Sequence, residues 1–293
     1  MRTLIFGGTG MLGRALATEG RRRAWPVLAL SHSEADLTDA ARLLYWADAF
    51  RPQLVVNAAA FTGVDACETE RDRAFAVNGR GVAHAVAAAG AAGARLLHVS
   101  TDYVFGGRAD HPYREDAPTA PLSVYGQSKL EGEGHALAYG RALVVRTSWL
   151  FGPGGPNFAA TMLGLIAAGK LPLKVVDDQV GCPTYTPYLA RALADLAELS
   201  LTGLIHYRNR EPVSWYAFAR EIARLDPRAP AATEVVPVTT AEFPRPAPRP
   251  AYSVLDVKRF EAAAGRRVEP WEDGLAEFLA ERAERARRDL RRT

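Results

Sequence analysis

Short apolar runs alternate with longer amphipathic or alanine-rich stretches through the first half of the chain. An apolar run at 3–6 is followed by a helical pattern over 10–19, and a second run at 26–30 by a helical pattern over 38–50. A third run, 54–56, ends at Asn57, and an alanine-rich helix is predicted over about 70–91. A strand at 96–99, a loop rich in Gly, Asp and Pro, a helix carrying Tyr125 and Lys129, and a fifth strand at 143–145 complete the series. Continuous apolar strands between helices mark a parallel sheet covered on both faces. The prediction is an α/β protein with a Rossmann-like, doubly wound parallel sheet over residues 1–150.

Beyond Trp149 the pattern loosens. Prolines recur, and 227–230 and 244–250 read as extended, turn-rich segments. Residues 151–293 are expected to form a smaller C-terminal substrate-binding lobe, with some later segments crossing back to the first domain. The sequence shows no internal repeat.

Composition narrows the function classes. Hydrophobic residues make up 48% and charged residues 24%, as in an ordinary globular protein. A net charge of +3 gives no case for nucleic acid as the main partner. Arg282, Arg285, Arg287, Arg288, Arg291 and Arg292 crowd the last predicted helix, where they read as cations near the negative end of its dipole. The two cysteines, Cys67 and Cys182, make neither a metal spacing nor a disulfide framework. No run approaches a membrane span, and the apolar stretch at 3–6 is too short for a signal peptide. A cytoplasmic setting is expected.

The first candidate chemistry is the loop Gly7-Gly8-Thr9-Gly10-Met11-Leu12-Gly13 between the first strand and first helix. Glycines there permit a tight turn, close approach of a pyrophosphate and close helix packing, with the phosphates meeting the helix N-terminus. The strand-turn-helix context makes this a dinucleotide site. A carboxylate at the end of the second strand would bind the 2′-hydroxyl of NAD. Ser31 and His32 stand there instead, so NADPH is preferred, with NADH as the alternative. Asp36 and Leu37 either line the adenine or belong to a helix start, with Asp36 or Thr38 as the cap.

The second is Tyr125-Gly126-Gln127-Ser128-Lys129. Residues four apart share a helix face. An ammonium beside a phenol lowers its pKa from about 10, making the tyrosine a usable acid or base. Ser100-Thr101-Asp102 closes the fourth strand, at the edge where open α/β sheets bind ligands.

With the glycine loop, Thr101, Tyr125 and Lys129 resemble the extended branch of the short-chain dehydrogenase/reductase superfamily. The segments 57–65, 100–105, 124–129, 146–149, 178–184 and 249–255, in that order, look like the dTDP-4-dehydrorhamnose reductase family over nearly the whole chain. That resemblance implies reduction of the C4 ketone of dTDP-4-dehydro-L-rhamnose to dTDP-L-rhamnose. Tyr125 would donate the proton, assisted by Lys129, which holds the nicotinamide ribose, and by Thr101, which polarises the carbonyl oxygen. It places Gly7, Gly10, Met11, Leu12, Gly13, Ser31, Asp36, Leu37, Ala60, Phe61 and Thr62 at the cofactor, along with Tyr125 and Lys129. Thr101, Asp102, Trp149 and Arg249 fall at the nucleotide sugar. Trp149 is either a sugar platform or core, Asp102 a substrate contact or a turn residue, and Arg249 a diphosphate ligand or a surface charge. Asn157 reads as a helix cap.

Two positions depart from the family. Phe61 replaces a usual tyrosine or histidine. Ala15 stands where some members carry a glutamate that helps a magnesium ion at a dimer contact, so no metal is expected and the chain is either monomer or homodimer. Alternatives left open are a nucleotide-sugar epimerase or dehydratase, a dihydrostreptose-type reductase, and a regulatory subunit similar to the beta subunit of methionine adenosyltransferase.

Overall fold

The computed structural model describes residues 1–227, 229 and 233–290; Arg228 and Pro230 of the segment 227–230, and Arg291 and Arg292 of the C-terminal arginines, lie outside them. Five strands, β1 (Thr3–Phe6), β2 (Val27–Leu30), β3 (Leu54–Asn57), β4 (Arg95–Thr101) and β5 (Ala142–Thr147), are joined by Gly203–His206 in one sheet. Its order is Gly203–His206, β5, β4, β3, β1, β2, parallel at every pairing. The chain reverses direction across the sheet between β1 and β3, which opens a crevice at their carboxyl ends.

Alternation along each strand builds two cores. Ile5, Val56, Leu97 and Val145 face the side covered by Met11–Arg22 (α1) and Thr186–Glu198. Leu4, Phe6, Val55, Leu96 and Val144 face the side covered by Ala40–Phe50 (α2), Gly81–Ala91 and Val124–Ala138. Both faces being apolar explains the unbroken strand runs. A third cluster, around Phe151, Leu163, Phe218, Trp271 and Phe278, forms within the C-terminal half. Arg23 of the turn after α1 pairs with Glu19, Asp195 and Glu198, and Arg266 pairs with Asp195 and Glu269, so charges lace α1 to later segments. Among the described residues, no helix is long and apolar enough to cross a membrane.

Two local expectations are corrected. The helix over 70–91 is broken: Arg71–Ala74 leads into a widened turn, Phe75–Arg80, before Gly81–Ala91 begins. The widening goes with an inward Asn78, and a Cβ at Gly132 on the facing helix would come within 2.2 Å of its carbonyl. Neither Asp36 nor Thr38 caps α2. Asp39 does, accepting from Arg42 N at 3.0 Å, while Asp36 accepts from the Thr38 backbone and hydroxyl in a local turn.

Candidate active site

After β1 the chain turns at Gly7, whose φ of 79° suits glycine. A Cβ at Gly7 would meet Ala59 N at 2.7 Å, and one at Gly13 would meet the Gly7 carbonyl at 2.1 Å. The loop is therefore pressed between β3 and its own helix. Gly10 is the N-cap of α1; it supplies no side-chain cap, and the first turn has no acidic residue. The N–H groups there are left for an anion, which fits a pyrophosphate. The side chains of Leu12 and Leu37 lie in the core, so only their backbones can serve a ligand. The Leu37 carbonyl accepts from His84 Nδ1 at 2.8 Å.

At the carboxyl end of β2 the geometry differs from the sequence expectation. Glu34 folds back, and its Oε2 accepts from Ser31 N at 2.8 Å and from Ser31 Oγ at 2.6 Å. A carboxylate does stand at this strand end, three residues later than the usual position. The Ser31 hydroxyl holds the Glu34 carboxyl below the ordinary range.

The segment Ala60–Thr62 follows β3. Asn78 grips Phe61 by both backbone groups: its Oδ1 accepts from Phe61 N at 2.8 Å, and its Nδ2 donates to Phe61 O at 3.0 Å. The same Nδ2 reaches Ser128 Oγ, which donates to the Tyr125 carbonyl at 2.9 Å. The widened turn thus ties the loop after β3 to the Tyr125 helix. The guanidinium of Arg73 lies 4.6 Å from the Phe61 ring centroid, so the apolar substitution is covered by a cation.

Ser123 caps the helix Val124–Ala138 by accepting from Gly126 N. This sets Tyr125 in its first turn against the end of β4. The Thr101 hydroxyl donates to Asp102 Oδ1 at 3.1 Å, accepts from Tyr103 N at 3.2 Å and lies beside the Tyr125 phenol. The ring of Tyr103 meets that of Tyr125 edge to face. Burial raises the Tyr125 phenol above its ordinary value, with the Thr101 hydrogen bond opposing it. The sequence expectation was a phenol lowered by Lys129. That lysine is buried with its Nζ 2.6 Å from the Val99 carbonyl, and it makes no hydrogen bond to Tyr125. Burial brings Lys129 down to about 8, against the raising effect of Glu133. Asp102 is 2% exposed, and burial raises it to about 7.

Trp149, just after β5, has a left-handed φ of 47° and stacks on Trp215 at 3.4 Å between centroids. A Cβ at Gly181 would come within 2.4 Å of the Trp149 ring. One face of the indole is thus covered by protein. Arg249 is no free surface charge. It donates to Asp65 Oδ1 at 3.0 Å and to the Ala247 carbonyl at 2.8 Å. Asp65 also accepts from Arg245 and from Ala247 N, so it anchors the proline-rich segment 244–250. Burial opposes ionisation of Asp65, but the two guanidiniums outweigh it and hold the carboxyl at about 2.

The family described as RmlD substrate binding domain matches residues 1–284. The dTDP-4-dehydrorhamnose reductase of Streptomyces griseus is 44% identical over 296 residues, covering 99% of this chain and 96% of its own. The chain belongs to the dTDP-4-dehydrorhamnose reductase family. A solved dTDP-4-dehydrorhamnose reductase from Clostridium acetobutylicum superposes with a TM-score of 0.90 at 39% identity, covering 96% of this chain and 99% of that one. Another, from Bacillus anthracis in complex with NADP, gives a TM-score of 0.88 at 34% identity, covering 96% and 99%.

In this member of the dTDP-4-dehydrorhamnose reductase family, the glycine loop, Ala60–Thr62, Thr101 and Asp102 follow or close β1, β3 and β4 at their carboxyl ends, and Tyr125 and Lys129 lie on the helix packed against β4. Sequence reasoning missed Glu34, Asp65, Asn78 and Trp215. Only Asn78 had a local signal: Asn-Gly inside an alanine-rich helix is a poor helix pair.

Proposed function

We propose that this chain reduces the C4 ketone of dTDP-4-dehydro-L-rhamnose to dTDP-L-rhamnose in the cytoplasm, using NADPH or NADH. The observation that carries this is the setting of Tyr125, on the first turn of its helix and against the Tyr103 ring, beside Thr101 at the carboxyl end of β4. The Tyr125 phenol and the Thr101 hydroxyl, once the latter turns its one proton from Asp102 Oδ1, would give two donors to one carbonyl oxygen, which is what an incipient alkoxide needs. Gly7, Gly10, Gly13 and the backbone of Met11 and Leu12 would hold the dinucleotide phosphates, and Lys129 a ribose. The bound nicotinamide supplies hydride to the ketone carbon. Tyr125 gives its proton to the oxygen as the C–O double bond becomes single, and the phenolate left behind is reprotonated from solvent. An ammonium at Lys129, on the same helix face, would favour that phenolate once it forms. Thr101 polarises the carbonyl. Residues 151–293, apart from Gly203–His206, would carry the sugar-nucleotide lobe.

The test is oxidation of NADPH and NADH by the purified chain with dTDP-4-dehydro-L-rhamnose, with the product identified. One cofactor consumed per sugar reduced supports the reading. No consumption, or cofactor that stays bound and is regenerated, sinks it.

A further inference from the structure

The end of β2 carries two opposite charges that the proposed reaction does not use. Gly8 N donates to the Leu30 carbonyl at 2.7 Å, and a Cβ at Gly8 would meet Ala29 at 2.6 Å. The phosphate loop therefore lies directly against the strand end, and Ser31 is the next residue out. In doubly wound dinucleotide sites the adenosine ribose lies at this strand end, which here would set it beside Ser31 and its partner Glu34. Arg42 stands beside them. Its Nε donates to the Glu34 backbone carbonyl at 3.0 Å, and its guanidinium packs 5.5 Å from the ring centroids of Tyr45 and Trp46. Trp46 Nε1 donates to the same carbonyl at 2.9 Å, which fixes the arrangement. Nε is the only Arg42 side-chain nitrogen with a hydrogen-bond partner among the described residues.

We propose that Glu34 and Arg42 together set how this chain discriminates between a free 2′-hydroxyl and a 2′-phosphate on the adenosine ribose, Glu34 favouring the hydroxyl and Arg42 the phosphate. This rests on the dinucleotide-binding part of the proposed function. A carboxylate accepts from a ribose hydroxyl, as acidic residues at this strand end do in NAD sites. A phosphate monoester carries about −1.5 to −2 charges at neutral pH and is repelled by the same carboxylate. The unoccupied end of a guanidinium matches phosphate oxygens two at a time. The local alternative is that Glu34 serves only to close the 31–34 turn on Ser31.

Calorimetric titration of 5′-AMP and adenosine 2′,5′-bisphosphate into the wild type, Glu34→Gln and Arg42→Ala separates these. Glutamine keeps an acceptor for Ser31 and removes the charge. The affinity ratio of bisphosphate to monophosphate is expected to rise at least tenfold in Glu34→Gln and to fall at least fivefold in Arg42→Ala. Binding of both nucleotides with an unchanged ratio in both variants overturns the proposal and leaves the dinucleotide site standing. Failure of the wild type to bind either nucleotide overturns the dinucleotide reading itself, and this inference with it.

Discussion

Lys129 Nζ donates to the carbonyl of Val99, two residues before Thr101 on the same strand, at 2.6 Å. The lysine therefore fastens the Tyr125 helix to β4 just behind the residue whose hydroxyl faces the phenol. Helix spacing brings Tyr125 and Lys129 to one face, but the partner of the ammonium is a strand carbonyl. With the phenol raised by burial, Tyr125 stays protonated across the neutral range. That is the state a proton donor must start from.

Tyr125→Phe removes the transferable proton and keeps the ring against Tyr103. Turnover is expected to fall by roughly 10²–10⁴, while nucleotide affinity, measured by calorimetry, stays within a factor of a few. Full turnover in this variant would remove Tyr125 from its proposed role.

Lys129 titrates at about 8, so the charged form proposed to assist Tyr125 disappears as pH rises through that value. Initial rates should drop on the alkaline side of pH 8, and Lys129→Met should lack this limb. Stability moves the other way. The unfolded lysine keeps its proton to about 10.5, so the folded state binds fewer protons between 8 and 10.5 and this group favours folding increasingly over that window. Thermal melts of the wild type against Lys129→Met across pH 8–10 check the sign.

Asp102 presents the converse case. Its folded value of about 7 exceeds the ordinary 3.8, so the folded state binds more protons between those values and loses stability as pH rises through them. Asp102→Asn should be more stable than the wild type at pH 8 by roughly 2–4 kcal/mol in denaturant titrations, with the gap closing near pH 4. Its turnover should fall if the carboxyl contacts the sugar.

Glu133 and Arg146 form an ion pair, 2.7 Å apart, with side-chain exposures of 2% and 4%. Ser100 Oγ adds a hydrogen bond to the same carboxylate at 2.6 Å. Glu133→Ala leaves the guanidinium buried and unpaired, and about 3–5 kcal/mol of stability should be lost. Because Glu133 raises Lys129, the alkaline limb of the rate profile should also move to lower pH.

The strands around Ile5, Val55, Leu97 and Val144 were legible because each is apolar on both faces, a pattern that only a doubly covered sheet produces. Gly7 to Gly13 and the Thr101, Tyr125 and Lys129 set were legible because their chemistry is tied to spacing or to a strand end. What escaped depends on distance along the chain or on local folding back. Asp65 meets Arg245 and Arg249 across 180 and 184 residues, and no local pattern records that contact. Glu34 returns to Ser31 through a turn whose course is decided by Arg42 and Trp46 holding its carbonyl. Alanine propensity hid the widened turn at Phe75–Arg80, where the fit of Gly132 against Asn78 overrides it.

The stacked indoles of Trp149 and Trp215 lie within 5° of parallel, joining the exit from β5 to the start of Trp215–Leu225. Two such chromophores at 3.4 Å couple their electronic transitions. The protein thereby contains its own optical gauge: a paired near-ultraviolet dichroism signal that exists only while these two segments are docked. Trp215→Phe would erase it and leave Trp25, Trp46, Trp149 and Trp271 as an uncoupled background. Docking of the segment behind the candidate sugar platform can thus be followed spectroscopically, with no substrate in the cuvette.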